Sequence, residues 1–251
     1  MAIERLREDI IQWNITLISG KITCIPYANY EAYREKKRQI THNLNRIFWQ
    51  DEQWGIHDTA RYIESLILQS DFVLDLHSFS AWKEAFIFND YNTEEVNTII
   101  HSIPIEHVMI WWTELYTWLQ ELDTIGFAKK NNIPGITIEC WQNEDSQSID
   151  TAYACIFSAL KSYNIIKEWE NVLHKNQIWI SVDTIIRKQE DFIFINAWKN
   201  FDPIEKDEII WKNLISHKSI SSPYTWLIIM PNSSVENWWE WCYLWKIITN
   251  P

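Results

Sequence analysis

Apolar residues in this chain recur with two different periods, and the change of period outlines the fold. Ile3, Leu6 and Ile10 share one face of a helix over residues 2–12. The run ITLISGKITCI, residues 15–25, alternates enough for a strand or hairpin, and residues 26–57 are polar, charged and loop-like. Ala60, Ile63, Leu66 and Ile67 mark a helix over 57–69, followed by the buried strand DFVLDLH, 71–77. The pattern then predicts a strand at 85–88, a helix at 92–101, a strand at 106–110, a helix at 113–131, a strand at 136–140 and a helix at 149–163. Such alternation gives an α/β fold, a mixed sheet flanked by helices. After about residue 168 only short apolar runs remain, at 179–186, 192–197, 208–210, 226–230 and 242–248. These predict a small C-terminal all-β domain, 169–251, appended to an α/β domain, 1–168.

Charge and cysteine usage narrow the setting. The net charge is −12, which disfavours a nucleic-acid partner, because phosphate binding needs a basic face. No apolar run approaches the roughly 18 residues of a membrane span, and MAIERLRED has no signal-peptide character. Cys24, Cys140, Cys155 and Cys242 are far apart, as expected of free thiols in a reducing cytoplasm.

One count is abnormal. The 251 residues contain 4 glycines and 17 tryptophans, where about 7% glycine would give roughly 18. Several tryptophans, including Trp82, Trp141, Trp198, Trp211 and Trp226, stand where a turn or glycine-like residue fits better. A UGA codon that the source reads as glycine, translated as tryptophan, produces this pattern. The alternative is a tryptophan-rich glycan binder, which leaves the missing glycines unexplained.

Three segments carry candidate chemistry: Arg38 with Asn45-Arg46 in a polar loop, Asp75-Leu76-His77 at one strand end, and Glu139-Cys140 at another. In α/β sheets ligands bind beyond the carboxyl ends of strands. Imidazole is a common zinc ligand, and a nearby carboxylate serves as general base. Asp75, two residues before His77, points to the same side and is placed to orient the imidazole.

In this order the segments resemble the succinylglutamate desuccinylase/aspartoacylase family, a zinc-carboxypeptidase-like group. NLNRIF resembles the family's (N/D)-L-N-R-x-F, and YANYEAYREKKR its N-P-x-A-Y stretch and following arginine. DFVLDLHS resembles the strand bearing a zinc-binding histidine, IPGITIEC the strand bearing the catalytic glutamate. AWKNFDPIEKDEIIWKN and SPYTWLIIMP resemble its C-terminal β-domain. The resemblance implies a zinc-dependent hydrolase of an amide or ester bond in an N-acyl amino acid or related small acidic substrate. Glu139 would be the general base, His77 a zinc ligand, and Arg38, Asn45 and Arg46 the substrate-binding residues.

The sequence departs from the family pattern in two places. The family's H-G-x-E motif is missing, and MAIERLRED resembles the helix just after it. One histidine cannot hold a catalytic zinc that takes three protein ligands. The expectation is one zinc in a protein extended upstream, and little or none in these residues. Trp141 also stands where the family tends to glycine. A rival reading is a metal-free, inactive carboxylate-binding protein of the same fold.

Overall fold

The computed structural model describes residues 1–50, 55–79, 83–91, 93–110, 122–167, 176–231 and 240–248. The helices are α1 (Ala2–Ile11), α2 (Tyr30–Arg34), α3 (Ile56–Ile67), α4 (Glu94–Ser102), α5 (Thr124–Lys130) and α6 (Gln147–Ser162), with a 3-10 turn at Leu44–Arg46. The strands are β1 (Val73–Phe79), β2 (Phe86–Asn89), β3 (His107–Ile110), β4 (Gly135–Gln142), β5 (Ile178–Arg187), β6 (Phe192–Phe194), β7 (Asp202–Ile204), β8 (Ile209–Asn213), β9 (Ser219–Ser221), β10 (Trp226–Ile229) and β11 (Glu240–Ile248). Among the described residues no helix is long and apolar enough to cross a membrane.

One sheet of eight strands runs β1-β4-β2-β3-β5-β11-β10-β7, and a sheet of three runs β6-β8-β9. The fold is the mixed α/β arrangement read from the pattern, with an all-β region at its C-terminal end. Parallel pairing of β3 with β5 joins that region to the α/β sheet, so the large sheet is continuous from β1 to β7.

Residues of period two separate the faces of the sheet. Leu74, Leu76, Ile136, Ile138 and Cys140 pack with α1, α4 and α6 in one core. Val73 packs instead with Phe48, Ile63, Ile67, Phe127 and Ala128, from the loop around the 3-10 turn, α3 and α5. Asp75, His77, Thr137 and Glu139 share the parity of Val73 or alternate with Ile136 and Ile138, so they face this second layer. Gly135 permits the close approach of β4 to β1. A Cβ there would lie 2.8 Å from the Val73 carbonyl oxygen and 2.9 Å from Ile125.

Three expected elements differ. Residues 15–25 form no strand; Leu17 makes a single bridge to Ile166. The polar stretch 26–57 contains α2, whose start is capped by the Asn29 side chain at the Ala32 N–H. The helix expected over 113–131 begins at Thr124 in its described part, because Leu122 pairs with Phe48 and Asp123 caps α5. Residues 111–121 lie outside the described residues.

Four helices end in the same double hydrogen bond, a Schellman motif. After α1, Asn14 N–H reaches the Asp9 carbonyl at 2.8 Å and Trp13 N–H the Ile10 carbonyl at 3.2 Å. α2, α5 and α6 close alike. The left-handed residue is Trp13 (φ 61°), Lys36 (φ 53°), Asn132 (φ 58°) and Asn164 (φ 53°) in turn. Glycine or asparagine is usual there, and tryptophan is not.

Candidate active site

Parallel register places His77 directly beside Glu139, and Asp75 beside Thr137. Paired residues in a ladder point to the same side, so imidazole and carboxyl adjoin on the face toward α5. His77 Nε2 hydrogen-bonds Asp75 Oδ2 at 3.0 Å. Glu139 is different: its Oε2 is buried and makes no hydrogen bond among the described residues.

The second layer supplies the cations. The Asn43 side chain accepts the Asn45 N–H at 3.1 Å and starts the turn that presents Arg46. Asn45 Oδ1 accepts Thr124 N–H at 3.0 Å and lies 3.1 Å from its Oγ1, which fixes this loop to the start of α5. Arg46 Nη1 donates to the Asn45 carbonyl at 2.6 Å. Arg38 lies near enough to Arg46 and Glu139 to feel both charges. Among the described residues neither guanidinium is in an ion pair.

The local fields follow from this packing. Burial works against a charged His77, but the Asp75 carboxylate, aided by Glu139 and Asp123, lifts its pKa to about 9. Burial likewise opposes ionisation of Asp75, but the charge and hydrogen bond of His77, with Thr124, hold it below the usual range. Burial pushes Glu139 up; Asp75 adds to this, while His77 and Arg38 oppose it. Arg38 is lowered by loss of solvent and by Arg46, against the pull of Glu139. Asp123 is raised by burial, with Asp75 adding and the Gly126 N–H, Arg46 and His77 opposing.

All six residues singled out from the sequence therefore meet around one site. Asn45 arrives with its side-chain oxygen occupied by Thr124, as a brace of the loop. Sequence reasoning missed Asp123 and Thr124, because one continuous helix was expected there. The usable signal was Asp-Thr-Ile-Gly: an aspartate whose side chain caps the Gly126 N–H, here at 2.6 Å.

Trp141 follows Glu139 by two residues at φ 154°, with its Nε1 3.3 Å from Asp145 Oδ2. Trp49, next to the NLNRIF segment, has φ 68°. Trp198 lies in irregular backbone, as expected. Trp211 and Trp226 instead lie within β8 and β10, buried in the C-terminal core, so the turn-like reading of Trp211 is corrected. Trp82 lies outside the described residues.

Among the described residues no group of three His, Cys, Asp or Glu side chains is arranged to hold a metal ion. His77, with Nε2 bound to Asp75, is one imidazole where a catalytic zinc takes three ligands. These residues alone do not make a zinc site.

The class the geometry defines is a mixed α/β fold that carries an imidazole–carboxyl pair beneath an arginine loop. Residues 1–111 match the model of the succinylglutamate desuccinylase/aspartoacylase catalytic domain. Among solved structures, a succinylglutamate desuccinylase from Silicibacter sp. is similar with a TM-score of 0.73 at 13% identity, over 98% of this chain and 80% of that one. The product-bound ectoine utilization protein EutE (DoeB) from Ruegeria pomeroyi gives 0.72 at 15% identity, over 99% and 80%. The succinylglutamate desuccinylase from Vibrio parahaemolyticus gives 0.71 at 18% identity, over 96% and 75%. No curated protein matches the sequence. The family match thus lies in residues 1–111, and the solved structures, at 13–18% identity, extend the likeness in fold over nearly the whole chain.

Proposed function

We propose that this protein hydrolyses the amide, or an ester, bond of an N-acyl amino acid or related small carboxylate. Glu139 carries the reading. A buried carboxyl with a free oxygen, raised in pKa and next to His77, suits a general base. Glu139 Oε2 takes the proton of the attacking water and delivers it to the leaving amine. Arg46 and Arg38 hold the substrate carboxylate; a guanidinium fork matches two oxygens. Asp75 orients His77.

No step here runs through a metal. We further propose His77 as one ligand of a single zinc ion, whose other ligands would come from outside the described residues. UGA codons that the source decodes as glycine are proposed for the tryptophan positions named above. The setting proposed is cytoplasmic.

The test is turnover of N-succinyl-L-glutamate, N-acetyl-L-aspartate and a panel of N-acetyl amino acids, with Glu139→Gln beside wild type. The amide is nearly isosteric and cannot take the proton, so turnover falls about 10²–10⁴-fold with the fold intact. Near-native turnover in the variant removes Glu139 as the base. Saturable binding of these carboxylates by wild type, with no turnover at all, establishes the carboxylate-binding reading instead.

A further inference from the structure

The register that pairs His77 with Glu139 continues across the sheet. Glu139 is paired with Phe86 on β2, and Phe86 with His107 on β3. Side chains paired in a ladder share a face. His77, Glu139, Phe86 and His107 therefore stand in one row, on the face away from the core of α1, α4 and α6. The two ends of the row differ in chemistry. On the β1 side lies the loop of the 3-10 turn, which carries Arg46. On the β2 side lie aromatic rings. Phe79, at the end of β1, stacks on Phe86 with centroids 5.7 Å apart, and Phe201 meets Phe86 edge-on at 5.8 Å. Phe201 also lies flat on His107, 3.8 Å away and within 5° of parallel, so it covers one face of that imidazole.

Phe201 is held there against its backbone preference. Its φ of 65° is in the left-handed region, which phenylalanine rarely adopts. Its N–H donates to the Ile228 carbonyl at 2.8 Å. Asn200, before it, accepts the Met230 N–H at 2.8 Å, and Asp202, after it, accepts the Lys199 N–H at 2.7 Å. A strained residue fixed from both sides keeps its ring in one place, and such residues gather where ligands are gripped. Phe86 is fully buried, whereas Phe79 and Phe201 are half-buried and keep part of their surface open. Among the described residues no lysine or arginine stacks on any of the three rings.

We propose that Phe79, Phe86 and Phe201 form the subsite for the acyl half of the substrate, and that this half is apolar. The inference rests on the functional reading above and names its substrate class. The arginines hold the substrate carboxylate from the β1 side, and the scissile carbonyl lies at Glu139. The acyl chain then extends over β2, against the rings. A hydrocarbon chain gains by burial there; a second carboxylate, as in a succinyl group, loses water against carbon. Phe201 sets this preference, as the open ring that shields His107.

The test compares N-(4-methylpentanoyl)-L-glutamate with N-succinyl-L-glutamate, which differ in having an isopropyl or a carboxylate of like shape at the end of the acyl group. Titration calorimetry on the full chain should give the first a Kd about tenfold lower or better. Phe201→Ala should raise that Kd about tenfold, while N-acetyl-L-glutamate, too short to span the rings, changes less than about threefold. Phe201→Leu, which keeps apolar bulk, should recover much of the loss. Values of kcat/KM should follow the same order. Succinyl bound as tightly as methylpentanoyl overturns the proposal, as does a Phe201→Ala effect equal for all three compounds. If the binding preference is found and nothing turns over, the hydrolase reading fails and the acyl subsite stands. If turnover is found without the preference, the subsite fails and the hydrolase reading stands. If Phe201→Ala does not fold, Phe79→Ala is measured in its place against the same three compounds.

Discussion

Trp13 offers a clean test of the tryptophan-for-glycine reading, because its backbone and its side chain give separable terms. It is the left-handed residue that closes α1, with φ 61° and both Schellman bonds formed. A side chain in that region costs roughly 1–2 kcal/mol. Glycine removes this cost but returns about 0.5–1 kcal/mol, through the greater freedom of the unfolded chain. The indole is 82% exposed, so its loss forfeits little burial. Trp13→Gly should therefore stabilise by about 0.5–1 kcal/mol, a rise in Tm of roughly 1–4 °C for a chain of this size. Trp13→Ala keeps the strained Cβ and should stay close to wild type. Calorimetry or thermal denaturation by circular dichroism compares the three. A glycine variant no more stable than the alanine variant refutes the reasoning. Peptide mass mapping of the protein from its natural source then reads glycine at positions 13, 49 and 141, where the backbone has positive φ. The same substitution at Trp211, 2% exposed in the C-terminal core, should cost at least the roughly 3–5 kcal/mol of a large-to-small change. Mapping decides that position, with Trp82, Trp198 and Trp226, independently of strain.

Gly135→Ala should destabilise by about 1–3 kcal/mol in urea denaturation, because its Cβ collides with the Val73 carbonyl and Ile125 between β1 and β4; an unchanged midpoint contradicts this packing. Arg46→Ala should raise KM for a carboxylate-bearing substrate more than it lowers kcat, while an uncharged ester analogue is affected less. Titrated with zinc by calorimetry, the 251-residue chain should bind weakly or not at all; stoichiometric zinc that survives mild chelation and depends on His77 shows that a full ligand set is present.

Much of the fold was legible because helices and strands bury apolar residues at different periods. β1, β3, β4, α3 and α6 all lie where period and β-branched runs place them. Residues 15–25 misled: alternation alone does not make a strand unless a partner edge is available, and only Leu17 finds one, in Ile166. The short strands β7 and β9 were invisible, since three residues carry too little pattern.

The site divides in the same way. The sequence by itself determined the ingredients: His77 after an apolar strand, Asp75 at the same parity, Glu139 on another strand, and the arginines in one polar segment. Spacing of two within a strand is a local property, so Asp75 and His77 could be paired from sequence. Tertiary structure alone decided that His77 and Glu139 are neighbours, because the register of β1 on β4 is set by packing on both faces and by the contact at Gly135. It alone brought Asp123 and Thr124 to the site, since the end of one helix meets a loop some eighty positions away only through the core around Phe48 and Phe127. The shifted pKa values of His77 and Glu139 belong to that level too, because they arise from burial and from charges that no local stretch of chain contains.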